Sequence, residues 1–395
     1  MDEPPAVSDT IRWILTEGRA FPTIRRFISA LCRRLLDQRV PLWRVTIYAA
    51  TLHPQIRGFG WRWWRDRGVT EEVRVAQGVE LTGDYQQSPL RRVIETGVPL
   101  RRRLDAAAQE YPLLAELHRD GGTDYLAVPL NQVGRRFPVL AWATDRPGGF
   151  AAADLDLLEA IRPAVAAVVE AAVVRRTARS LFSIYHGRHV GDRVFDGQIL
   201  RGSVDLLRAA VMATDLRGFT GISDRLPGDE VVQALDEYFE MVTQAVHAQG
   251  GNVLKFIGDG VLAIFDAEEG EDAAAADAGL AAARALIRHL DARNAGEGRA
   301  RVPLRAGVGL HLGTVMYGNV GAPDRLDFTA IGPAVNLAFR LEDLTKELRR
   351  PVLASRAFAA AASSALTPLG PQPIRGLSEY EEVFGLPEHG ALAAQ

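Results

Sequence analysis

The sequence predicts a mixed α/β (α+β) protein in two domains, and three observations carry that prediction. Short apolar runs bounded by glycine alternate along the 395 residues with amphipathic stretches of helical period, which is how mixed architectures read. Charge is split: residues 1–180 hold 26 arginines against 21 acids, net +5, which leaves −8 for the rest of a chain whose total is −3. Finally, Gly251-Asn-Val-Leu-Lys-Phe-Ile-Gly-Asp-Gly-Val-Leu-Ala-Ile-Phe265 sets two apolar runs around Gly258-Asp259-Gly260. That is the signature of a tight hairpin with a carboxylate at its tip.

Composition narrows the functional classes. With 47% apolar and 24% charged residues the chain is ordinary globular material, long enough for two separate cores. A net charge of −3 gives no global basic field, so nucleic acid is not an expected partner. Cys32 is the sole cysteine, which excludes internal disulfides and cysteine-based zinc sites. Met1-Asp-Glu-Pro-Pro lacks a signal-peptide pattern, and the apolar stretch Ala160–Val174 is broken by Arg162, Pro163 and Glu170. No membrane span and a cytoplasmic location are therefore expected.

In chain order, Asp9–Asp37 reads as two helices, with Phe21-Pro22-Thr23 between them and Thr23 as N-cap. Leu42–Ala49 and Phe59-Gly-Trp-Arg-Trp-Trp64 read as strands. The tryptophans either fill a core or line a pocket or dimer contact. Ser88–Thr96 reads as a helix, Tyr125–Leu130 and Phe137–Ala143 as strands, and Phe150 opens a long helix to about Arg179. No Gly/Ser tether follows, so the two domains are expected to be mechanically connected through residues 176–203. His186 and His189 read there as solvated side chains.

The second domain opens with a strand, Leu206–Thr214, that leads into Asp215-Leu-Arg-Gly-Phe-Thr-Gly-Ile222. Asp229–Gln249 is amphipathic, with Val231, Leu235, Tyr238, Val242 and Val246 on its apolar face. After the hairpin come an alanine-rich helix (Ala273–Asn294) and strands at Leu304–Leu312, Val315–Gly318 and Leu326–Ile331. A helix from Ala334 to Leu348 and strands at Val352–Ala354 and Val383–Leu386 close the series.

Chemistry concentrates in four places. If the strands ending at Asp215 and Asp259 are adjacent, the two carboxylates share one corner and repel unless a cation neutralises them. A hard ion such as Mg²⁺ takes one or two carboxylates plus substrate phosphates. Taken singly, Asp215 reads equally well as an N-cap and Asp259 as a turn residue. Gly218 lets the backbone after Asp215 turn sharply and approach a triphosphate. Of 46 basic side chains only Lys255 and Lys346 are lysines. Lys255, in the hairpin, offers a compact donor that arginine does not match.

Asp215-Leu-Arg-Gly-Phe-Thr220, Lys255-Phe-Ile-Gly-Asp-Gly260, Gly307-Val-Gly-Leu-His-Leu-Gly-Thr-Val315 and Thr329-Ala-Ile-Gly-Pro-Ala-Val-Asn-Leu-Ala-Phe-Arg340 occur in this order. Together they resemble the catalytic domain of the class III nucleotidyl cyclases, expected over residues 204–387 after a helical linker at 176–203. The element order of residues 10–175 resembles a GAF-type sensory domain. The first resemblance implies a ferredoxin-like domain acting as a head-to-tail homodimer with active sites across the interface. It implies that Asp215 and Asp259, with the Leu216 carbonyl, hold two Mg²⁺ (or Mn²⁺) ions. It also implies that Lys255 and Thr329 select the purine and that Asn336 and Arg340 stabilise the transition state. Gly218 and Phe219 would lie along the substrate, and Arg375 stands where the family usually places a phosphate-binding lysine.

Adenine presents an acceptor at N1 and a donor at N6, matching a lysine and a threonine oxygen; guanine reverses both. The expected activity is therefore conversion of ATP to cyclic AMP and pyrophosphate, regulated by a small-molecule or protein signal at the N-terminal domain. The alternatives are a guanylate cyclase and a catalytically weak nucleotide-binding module. Two departures from the family stand out. Pro333 replaces the usual Asp or Asn and suits a first helical turn. Phe339 replaces a small residue and threatens to crowd Arg340.

Overall fold

The computed structural model describes residues 5–68, 70–104, 110–130, 138–296, 302–376 and 379–387. The chain divides into two compact units, Met1–Leu181 and Phe182–Gln395, close to the boundary that the charge split marks.

The first unit is a six-stranded antiparallel sheet covered on both faces. Helices α1 (Pro5–Leu15) and α2 (Ile24–Asp37) come first, and the Thr23 hydroxyl caps α2 by accepting from the Arg26 amide. Strands β1 (Arg44–Ala50), β2 (Ile56–Trp64) and β3 (Thr70–Ala76) follow, then helices α3 (Gly83–Gln86) and α4 (Pro89–Thr96). Next are β4 (Leu100–Arg103), α5 (Pro112–Arg119), β5 (Asp124–Pro129), β6 (Val139–Thr144) and α6 (Ala152–His186). Strand order is β3-β2-β1-β6-β5-β4.

Period-2 alternation sorts β1 cleanly. Val45, Ile47 and Ala49 join Phe27, Leu31, Trp61, Trp63, Trp142 and Ile161 in the core beneath α2 and α6, while Arg44 and Thr46 face the other way, toward α4 and α5. Trp61 and Trp63 thus fill a core. Strands β3 and β4 and helix α5 escaped the sequence reading, because charge dominates Thr70-Glu-Glu-Val-Arg-Val-Ala76 and Leu100-Arg-Arg-Arg103. The predicted strand Phe137–Ala143 begins at Val139; Phe137 lies outside the described residues.

The second unit takes in residues 182–203 of the segment read as a linker, while Arg176 and Thr177 bond Glu72 and Thr51 in the first unit. Helix α6 continues through Ser180 to His186, and α7 (Arg188–Phe195) follows. Phe182 meets Phe195 edge-on at 5.6 Å, both of them exposed, and Val190 is buried against the sheet. His186 is exposed, as expected; the His189 side chain lies outside the described set.

The domain core is β7 (Val204–Leu216), α8 (Phe219–Ser223), α9 (Gly228–His247), β8 (Asn252–Ile257), β9 (Gly260–Asp266), α10 (Asp272–Ala295) and β10 (Ala306–Ala322). Its four strands lie in the order β10-β7-β9-β8, all antiparallel, with α9 and α10 on one face. That is the ferredoxin-like β-α-β-β-α-β arrangement. Strand β11 (Arg325–Ile331) pairs with β10, followed by α11 (Pro333–Glu347), β12 (Val352–Ser355), α12 (Arg356–Ala361), β13 (Thr367–Gln372) and β14 (Glu381–Gly385).

One prediction needs correcting here. The separate strands at Leu304–Leu312 and Val315–Gly318 are a single strand, β10, because Gly313 stays in register opposite Ala209 instead of turning. Glycines in β10 serve helix packing. A Cβ on Gly309 would lie 2.0 Å from the Ala338 carbonyl oxygen, so α11 seats directly on the strand backbone. No helix among the described residues is long and apolar enough to cross a membrane.

Candidate active site

Strands β7 and β9 are neighbours, with Thr214 opposite Val261. Asp215 therefore ends its strand beside the β8–β9 turn, where Ile257 pairs with Gly260 and Gly258 adopts φ +64°. The strand end is pinned by a 2.9 Å hydrogen bond between the Thr214 and Tyr238 hydroxyls. The side chains of Asp215 and Asp259 meet. Burial first, then the Asp259 charge, raises the Asp215 pKa, and Lys346 opposes the rise. Lys346 Nζ is 3.6 Å from Asp215 Oδ2 and 3.4 Å from Asp343 Oδ1.

A third acid lies behind this pair. Glu342, one turn before Lys346, is 3% exposed, and its carboxyl is pushed up to about 7, mainly by burial. Its Oε1 has no hydrogen-bond partner. The corner thus gathers acid without matching positive charge, and this fits a divalent cation. Among the described residues no group of three or more His, Cys, Asp or Glu side chains is arranged to hold a metal. Two carboxylates leave coordination positions open for phosphate oxygens, as Mg²⁺ sites commonly do. Leu216 ends β7, buried, and Gly218 (φ +73°) turns the chain into α8, where Phe219 packs on the core.

Lys255 lies in β8, half exposed, with its ammonium in contact with the Asp327 carboxylate. Asp327 and Thr329 are two apart in β11, both partly exposed, while Phe328 and Ala330 between and beyond them are buried. Lys255 is thereby set at the strand that carries Thr329. The pairing residue, Asp327, went unnoticed in the sequence; its only signal was alternation with Thr329.

Helix α11 divides its polar residues between two sides. Glu342 and Lys346 turn toward Asp215, whereas Asn336 and Arg340 sit one turn apart on another side, Arg340 and Glu342 differing by about 200° around the axis. Asn336 is exposed. Arg340 lies beside the turn that carries Arg375: a Cβ on Gly376 would be 3.1 Å from its Nη2. Arg375 is exposed. The contacts recorded for Asp215 among the described residues are with Asp259 and Lys346, and those of Arg340 are with the turn at Gly376. Phe339 packs, like Val194 and Leu207, against the sheet-side core. Pro333 occupies the first turn of α11, as expected.

Comparison with known proteins bears on this second unit. Residues 206–383 match the model of the adenylate and guanylate cyclase catalytic domain. An adenylate cyclase of Anabaena cylindrica is 35% identical over 147 residues, 37% of this chain and 29% of that protein. Adenylate cyclase 1 of Rhizobium meliloti is 36% identical over 176 residues, 44% of this chain and 26% of that protein. The chain thus spans less than a third of either relative. A solved structure of a bacterial light-regulated adenylyl cyclase aligns over 87% of this chain and 92% of its own, with TM-score 0.50 and 19% identity, a likeness of fold.

Proposed function

Because residues 206–383 belong to the adenylate and guanylate cyclase catalytic domain family, we propose that the chain is an adenylate cyclase. It would convert ATP to 3′,5′-cyclic AMP and pyrophosphate at sites shared by two copies, in the cytoplasm, under control of residues 10–175. The observation that carries the reading is the under-neutralised meeting of Asp215 and Asp259 at adjacent strand ends. Two Mg²⁺ or Mn²⁺ ions held there and at the Leu216 carbonyl would supply Lewis acidity to the ribose 3′-hydroxyl and the polyphosphate.

The remaining work falls to the chain's own groups. Gly218 and Phe219 carry the backbone away from Asp215 and leave room for the triphosphate. Lys255, steadied by Asp327, donates to adenine N1, and the Thr329 oxygen accepts from the N6 amine. Asn336 orients the ribose, and Arg340 neutralises charge growing on the α-phosphoryl oxygens, a donation typically worth ~3–4 kcal/mol. Arg375 holds the outer phosphates.

Two observations support a composite site. The Asn336–Arg340 side of α11 is turned from the Asp215 corner, so a second copy is needed to bring the two sets together. In addition, Phe256, Ile257, Leu326 and Ile331, on the strands bearing Lys255 and Asp327, are exposed apolar residues in a single copy. Support for regulation is the helix Ala152–His186, which runs unbroken across the boundary between the units.

The test is incubation of the purified chain with ATP or GTP and Mg²⁺ or Mn²⁺, with both cyclic products measured. Cyclic AMP as the main product is expected. Cyclic GMP as the main product, or neither, would refute the reading.

A further inference from the structure

A cavity of about 70 Å³ lies in the first unit between the β1-β6-β5 face of the sheet and helices α4 and α5. Its origin is a row of small side chains. Thr46, Ala141 and Ala143 face α4 and α5 across paired strands, and no described side chain fills the space above them. Leu90, Leu113 and Leu117 form an apolar roof.

The polar lining is one-sided. Arg44 and Arg62 both border the cavity, and Tyr125 joins them from β5. Tyr125 sits opposite Ala143, which sits opposite Arg44, so the three form one row across the sheet. Tyr125 is 3% exposed, and its hydroxyl has no hydrogen-bond partner. Arg44 lies 5.5 Å from the Trp64 ring centre, a contact that leaves its N–H donors free to point elsewhere. Burial and then Arg62 lower the Arg44 pKa, with Glu116 and Asp120 on and after α5 as its acidic neighbours. Among the described residues no carboxylate lines the cavity.

Two guanidinium groups, a threonine and an orphaned phenol beneath three leucines suit an amphipathic anion. A water needs roughly 10–15 Å³ on this measure, so the space holds roughly five to seven non-hydrogen atoms. We propose that this cavity is a binding site for a small aliphatic carboxylate, its head on Arg44, Arg62 and the Tyr125 hydroxyl and its tail against Leu90, Leu113 and Leu117.

Binding is read by calorimetry on the full chain, with no turnover involved, so the result is independent of the cyclase reading. The probes are sodium butyrate, inorganic phosphate and chloride. Saturable binding of butyrate with Kd on the order of 1 mM or tighter is expected, with phosphate and chloride much weaker. Arg44→Gln should weaken it at least about tenfold. Tyr125→Phe should weaken it about three- to tenfold without lowering Tm, because it removes a buried hydroxyl that lacks a partner. No saturable heat with butyrate, meaning that the cavity holds only water, overturns the proposal. So does phosphate binding more tightly than butyrate, or undiminished butyrate binding in the folded Tyr125→Phe variant.

Discussion

Asp124 in the first unit and Asp215 in the second are both carboxylates at the end of a strand, and they are treated in opposite ways. Asp124 is fully buried, yet it is completely answered: Arg101 Nη2 donates at 2.7 Å, Arg103 Nη1 at 3.3 Å and the Phe150 amide at 3.1 Å. Asp215 meets a second carboxylate, a buried glutamate stands behind it, and a lysine lies 3.6 Å away. A satisfied acid holds two segments together. An acid left facing another acid is perturbed instead, and perturbed carboxylates of this kind cluster at functional sites.

The sharpest break between the two concerns activity. Asp259→Ala should cut cyclase turnover by about a thousandfold or more while the protein stays folded, measured as cyclic AMP release alongside Tm. Mixing it with Asn336→Ala should then recover about a quarter of wild-type activity, since half of the dimers are mixed and each has one intact site. No recovery in verified mixed dimers would refute a shared site. Asp124→Ala, by contrast, should release two partly exposed arginines and the Phe150 amide and cost about 1–3 kcal/mol of stability in a urea titration.

A pH test follows in size. His311 is largely buried, hydrogen-bonded to Ser355 at 2.8 Å, and burial lowers its pKa to about 4. The unfolded chain takes up that proton near pH 6.5, but the folded one only near 4. The contribution is therefore complete above pH 6.5 and lost as pH falls toward 4, a decline of up to ~3 kcal/mol. His311→Gln should flatten stability over that window. The smallest effect sharpens the comparison most: Asp215→Asn should leave stability unchanged or raise it by ~1 kcal/mol, because it removes repulsion.

Much of this was legible in the residues. Helix faces in the second unit and the hairpin around Asp259 are local patterns, and local patterns survive folding. The adjacency of β7 and β9 was only conditional until the sheet order was known. What escaped were partners far apart in sequence. Lys346 stood out as one of two lysines, but nothing local ties it to Asp215, 131 positions earlier by subtraction of their numbers. Asp327 was hidden for the same reason. The N-terminal edge strands were missed because charged side chains on an edge erase the apolar period.

Gly376 offers no functional group, yet it bounds the space in which Arg340 rests. Its φ of +80° disfavours any side chain, and a methyl group there would press on the guanidinium. An exchange as mild as Gly376→Ala would thus act at a distance from every reacting atom. The guanidinium tip can give by a few tenths of an ångström, so the larger constraint at this position is the backbone's left-handed turn rather than the arginine's charge.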